Sequence, residues 1–132
     1  MSQENVESLR RAFEAYNRGD VDAAVADLHP DCEYVPSGAL PGVRDVVRGP
    51  EGYKRTIAWL RDAFDRAHID VELTDAGDQV LAWLTARGRG KQSGVETAWE
   101  FWQVWTYRDG KAVSGRGFTD RTEAFEAAGL RE

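Results

Sequence analysis

Two carboxylates, two isolated histidines and one basic, glycine-rich stretch are the parts of this sequence whose residue types could do chemistry. Glu100 sits inside the run Trp99-Glu100-Phe101-Trp102. A carboxyl withdrawn from water among aromatics is pushed toward its neutral form and becomes a candidate general base. On a strand it shares parity with Trp102 and Val104, the side expected to face a pocket. The alternative is a solvated strand end, or an ion pair with an arginine of the preceding basic stretch. Glu33 is the second candidate. It matches the parity of Val35 and could face inward beside the donors Tyr34 or Tyr53, or could equally be ion-paired or exposed at the end of a sheet.

His29 precedes Pro30 at a helix end, and His68 opens a run of alternating residues, so surface or capping roles account for both. No HExxH spacing exists and Cys32 is the only cysteine, so neither a metal site nor a disulfide is expected, and no cofactor is implied. Asp120 and Glu123 have capping-box spacing, which explains that aspartate without catalysis. The stretch Arg87-Gly88-Arg89-Gly90-Lys91 lacks the GxxxxGK[ST] order of a phosphate loop and reads as a solvated hairpin tip. Tyr53, Trp59 and Trp102 could line a cavity for a flat apolar molecule, or could simply fill a core.

The elements that must position these residues follow from periodicity. Val6, Leu9, Phe13 and Tyr16 form one helical face over about 3–18. Asp20 suits the N-cap of a short second helix carrying Ala24, Val25 and Leu28, ended by Pro30. A short strand covers 32–35, then a mostly irregular stretch rich in glycine and proline runs to Gly49. Pro50 fits the first turn of a third helix striped by Tyr53, Ile57, Leu60 and Phe64. From Ile69 the period becomes two. Strands are predicted at about 69–74, 79–87, 95–107 and 111–119, with a final helix that Gly129 can terminate. Early helices and late strands predict an α+β fold, a curved, mostly antiparallel sheet wrapped around three N-terminal helices, in one domain over residues 1–132.

The chain has 132 residues, 42% of them hydrophobic, including five Trp, which suffices for a core and argues against disorder. A formal net charge of −6 gives no long-range attraction for phosphate backbones, so no nucleic-acid partner is expected. No segment approaches the ~18 apolar residues of a membrane span and no leader sequence is evident, so a cytoplasmic protein with no membrane partner is expected. The strand 95–107 is apolar on both parities, with Trp99, Phe101, Trp105 and Tyr107 on one and Ala98, Trp102 and Val104 on the other. Such a strand needs a cover on each face. The chain's helices can supply one and a second copy the other, which predicts a homodimer.

The stretch Phe13 to Asp20, the segment Leu28-His29-Pro30-Asp31-Cys32-Glu33-Tyr34, the turn Arg48-Gly49-Pro50-Glu51-Gly52, the run Val104 to Lys111 and the pair Asp120-Arg121 resemble, in order, the SnoaL-like, nuclear-transport-factor-2-like superfamily. The resemblance implies a cone whose concave sheet face and helices surround a pocket, with the convex face used for dimerisation. The pocket positions it implies are Val35, Tyr53, Trp59, Glu100, Trp102 and Gly117. Family enzymes place catalytic carboxylates in such pockets; ketosteroid isomerase uses an Asp base with Tyr and protonated Asp donors. Those three positions fall here on Val35, Ala12 and a site at or near Trp102, and the aspartate of the polyketide cyclases falls on Gly117. Whether the chain is an enzyme is therefore left open. The leading expectation is a dimer that binds a small apolar molecule. The alternatives are a cofactor-independent cyclase, isomerase or dehydratase acting on an apolar carbonyl compound through Glu100 or Glu33, and a non-enzymatic interaction or structural dimer.

Overall fold

The computed structural model describes residues 2–38 and 42–132. Four helices and six strands follow in the order α1 (Ser2–Asn17), α2 (Val21–Ala24), β1 (Leu28–Val35), β2 (Val47–Arg48), α3 (Gly49–Ala63), β3 (Phe64–Ala76), β4 (Gln79–Gly90), β5 (Glu96–Arg108), β6 (Lys111–Phe118) and α4 (Arg121–Ala127). The fold is α+β. All six strands form one curved sheet in the order β2-β1-β6-β5-β4-β3, antiparallel throughout except where β1 runs parallel to β6. Register breaks at Leu28/Glu33, Asp65/His68 and Thr106/Tyr107 supply bends that let the sheet curve.

The two faces of the sheet are covered differently. On the concave face, α1 and α3 lay their apolar stripes against Ala82, Leu84, Phe101 and Trp105. α1 is pinned in place by Asn17, whose side-chain amide donates to the carbonyl of Ile69 at 2.9 Å and whose carbonyl accepts from its N–H at 2.8 Å. On the convex face, α4 packs Ala124 and Ala128 onto Leu81, Trp102, Val104 and Phe118. The carboxylate of Asp120 caps α4 by accepting from the Thr122 N–H. Gly129, at φ +71°, turns the chain out of that helix in a conformation that costs glycine little.

The elements differ from the sequence reading at three places. α2 is one turn only, and Leu28 opens β1 instead of closing that helix, because Asp27 already accepts from the Ala112 N–H and begins the pairing with β6. Pro30 sits in the irregular part of β1, where its missing donor breaks no ladder bond. β3 begins at Phe64, directly after α3, rather than near Ile69. Residues 39–41 of the stretch expected to be irregular lie outside the described residues; β2, at its end, was not foreseen.

Candidate functional site

The concave face and the helices do not close completely. Between them lies a hollow with about 70 Å³ of space for the centres of water-sized atoms, several times what one buried water needs. Leu9, Phe13 and Tyr16 of α1, Tyr53, Ile57 and Leu60 of α3, and Phe101, Gln103, Trp105 and Tyr107 of β5 make its wall. Asp27, Ser8 and Ala112 complete one end.

Polar groups gather at two places on this wall. At the first, Gln103 is 2% exposed and its amide donates to the Tyr34 hydroxyl at 3.0 Å. The Trp105 indole N–H donates to the amide oxygen of Gln103 at 2.8 Å. Tyr34 stacks on Trp105 with centroids 5.3 Å apart, and the Tyr53 ring meets both edge-on. Burial pushes both phenols well above their ordinary pKa, and hydrogen bonding to Gln103 offsets this only in part. They are neutral O–H groups at any physiological pH.

At the second, four residues or about 13 Å further along β5, Tyr107 faces Ser8 and Asp27. The Ser8 hydroxyl lies 2.7 Å from the Asp27 carboxylate and 3.3 Å from the Tyr107 hydroxyl. Arg11 at 3.4 Å and Lys111 at 3.9 Å neighbour the same carboxylate. Burial pushes the Tyr107 phenol up to about 12. Burial also raises the Cys32 thiol to about 11, which makes it a packing residue and not a nucleophile at neutral pH.

Of the six residues expected to line a pocket, Tyr53 lines this hollow and five do not. Trp102 lies on the convex face under α4. Glu100 is on that same face, exposed, and accepts from the Trp83 indole N–H at 2.8 Å. The parity assigned to β5 was thus inverted. The registers Trp83↔Trp102 and Trp105↔Gly115 put even residues outward and odd residues inward. On β1 the same alternation turns Tyr34 and Cys32 inward and leaves Val35 37% exposed. Glu33 forms an ion pair with Arg48 at the sheet edge. Trp59 is on the solvent side of α3, 48% exposed. Gly117 pairs with Gln103 across the β5–β6 ladder, yet is not part of the cavity wall.

His29 accepts locally from the Asp31 N–H, and His68 lies 3.1 Å from Asp70 in an exposed contact. The basic stretch extends β4 to Gly90 before a turn at 91–93. Among the described residues no helix is long and apolar enough to cross a membrane.

The profile of the SnoaL-like domain matches residues 9–115. The chain belongs to the SnoaL-like family. Aklanonic acid methyl ester cyclase DnrD of Streptomyces peucetius is 36% identical over 86 residues, which are 64% of this chain and 57% of that enzyme. The chain thus spans a little over half the length of the curated relatives it matches. Among solved structures, an NTF2-like protein of unknown function from Burkholderia pseudomallei K96243 superposes with a TM-score of 0.78 at 21% identity, covering 93% of this chain and 95% of that one. TerC, co-crystallised with polyporic acid, superposes with a TM-score of 0.77 at 22% identity, covering 96% and 98%. At these identities the structural neighbours speak for the SnoaL-like fold alone.

The sequence alone does not point to Asp27, Ser8, Gln103 or Tyr107 as site residues. Gln103 carried a usable signal: a lone uncharged polar residue in Phe101-Trp102-Gln103-Val104-Trp105 must find partners if the strand is buried.

Proposed function

We propose that this SnoaL-like domain takes up a small, largely apolar molecule in the hollow and performs cyclase-type acid–base chemistry on it without a cofactor. The observation that carries this reading is one cavity that joins an aromatic wall to a carboxylate, Asp27, held by Ser8 beside a protonated phenol. An apolar wall excludes water, and a carboxylate at its edge can take a proton from a bound carbon acid and return it. The relatives named aklanonic acid methyl ester cyclase support the class of reaction. In this reading Asp27 takes the place of the Glu100 and Glu33 bases expected from sequence, since both of those stand outside the hollow.

The test separates uptake from chemistry. Asp27→Asn should still bind apolar aromatics, followed by native mass spectrometry, but should convert aklanonic acid methyl ester about 10²- to 10⁴-fold more slowly than wild type. Equal conversion by Asp27→Asn removes the catalytic half. Failure of any apolar compound to bind removes the whole.

A homodimer through the uncovered part of the convex face belongs to the same reading. The support is Trp83, 36% exposed, and Val35 beyond the reach of α4. Light scattering that finds a monomer at micromolar concentration contradicts it.

A further inference from the structure

The two ends of the hollow are closed unequally. At one end stand the large side chains of Tyr16, Leu60, Ile69 and Phe101, which also separate it from a second, smaller cavity behind them. That end is fastened through the backbone. Asn17 bonds both main-chain groups of Ile69, and the Arg61 guanidinium donates to the Tyr16 carbonyl at 3.0 Å. Opening it requires lifting α1, 16 residues long, off the sheet.

At the other end the cover is thin. Ser8, Ala12 and Asp27 line the hollow and, on their far side, an outer groove of about 390 Å³ between α1 and α2. One methyl group and one hydrogen bond, from Ser8 to Asp27 at 2.7 Å, therefore stand between the hollow and solvent.

The chain behind this bond is held lightly. α2 is one turn long and none of its residues is buried; a helix of that length has no stability of its own. Its outer fastenings are exposed polar contacts: Asp22 with Lys54 at 2.7 Å, Arg11 with Asp27 at 3.4 Å, and Lys111 donating to the Ala26 carbonyl at 3.1 Å. Such contacts contribute little each and weaken with salt. The fixed points are Val25, buried against Tyr16 and Ile57, and the Asp27 carbonyl, which accepts from the Ala112 N–H at 2.9 Å. The turn before them and the Asp27 carboxylate are free to swing, and a stretch with so few buried contacts opens at low cost.

We infer that ligand enters and leaves the hollow between α1 and α2, with α2 as the flap and the Ser8–Asp27 hydrogen bond as its latch. This rests on the uptake reading of the hollow. It adds that the carboxylate assigned to the chemistry also shuts the ligand in, so closure and reaction share one group.

The experiment follows the exchange of acetophenone, used as a small aromatic probe, by NMR line shape at the Trp105 indole N–H. Ala26→Trp places a bulky ring in the outer groove, at an exposed position outside the wall of the hollow. Association and dissociation should both slow roughly ten-fold, with Kd unchanged. Lys54→Met frees Asp22 and should speed both about two- to five-fold, again at constant Kd. Ala67→Trp, on the wall of the second cavity at the opposite end, should change neither rate. Unchanged rates in Ala26→Trp, or slowing by Ala67→Trp in its place, overturn the inference and leave uptake standing. A wild-type protein that binds no probe overturns the uptake reading, and this inference with it.

Discussion

Concave and convex faces of one strand, β5, are both apolar, yet they are covered in opposite ways. Outward, Trp102 and Val104 meet the small residues Ala124 of α4 and Ala128 at its C-cap, and all four are buried. Inward, Phe101, Gln103, Trp105 and Tyr107 face α1 and α3 across a gap that those helices leave open. Sheet faces covered by a short alanine-faced helix can pack at close distance. Faces spanned by two helices carrying large side chains cannot close everywhere, and the residue at the gap can be polar if its partners are built in. The difference teaches that aromatic content alone does not locate a site. The location follows from where the cover fails to reach.

Breaking the filled face should have the largest effect. Trp102→Ala opens a void under α4 and should cost about 3–5 kcal/mol in denaturant unfolding, with probe binding in the hollow retained in the protein that remains folded. A milder perturbation sharpens the contrast. Ala124→Leu adds volume where there is none and should destabilise by about 1–3 kcal/mol, whereas Ala12→Leu adds it on the wall of the hollow and should leave stability nearly unchanged while abolishing uptake. Equal stability losses from the two leucines would mean that the faces are packed alike.

The hollow side also has a pH signature. Tyr107 holds its proton more tightly folded, to about pH 12, than in the unfolded chain near 10. Its contribution is complete below pH 10 and is lost as pH rises toward 12, because the unfolded chain ionises first. Stability should fall by on the order of 1 kcal/mol per pH unit across that window, and Tyr107→Phe should flatten this limb of the curve. The smallest effect should come from Glu100→Gln, on the exposed outer face: within about 0.5 kcal/mol in stability and no change in ligand uptake. A lost activity there would restore Glu100 as a candidate base.

The architecture was readable from sequence because the helical period of α3 gives way to period two in β3, although the junction lies at Phe64 and not near Ile69, and the turns at Gly77 and Gly110 mark the meander. The inner face of β5 was not. Both of its parities are aromatic, so period two identifies a strand without saying which side looks inward. The deciding cover is α4, whose alanines carry no strong signal of their own. Because α4 covers Trp102 and Val104, burial on both sides of β5 no longer calls by itself for a partner subunit. Asp27 was invisible for another reason: it lies in no motif, and only the fold brings Ser8 and Tyr107, 99 positions apart, to its side. Tyr53 was legible because it stands on the inward stripe of an amphipathic helix, where spacing alone sets direction.

The five tryptophans place a reporter on each region, with Trp105 in the hollow, Trp99 against Phe64, Trp83 and Trp102 on the convex face, and Trp59 on the outside of α3. Following their indole N–H resonances while acetophenone is added measures where a ligand goes. Uptake by the hollow predicts a saturable shift of Trp105 with Trp83 and Trp59 unmoved. Shifts confined to Trp83 and Trp102, with Trp105 silent, would contradict it.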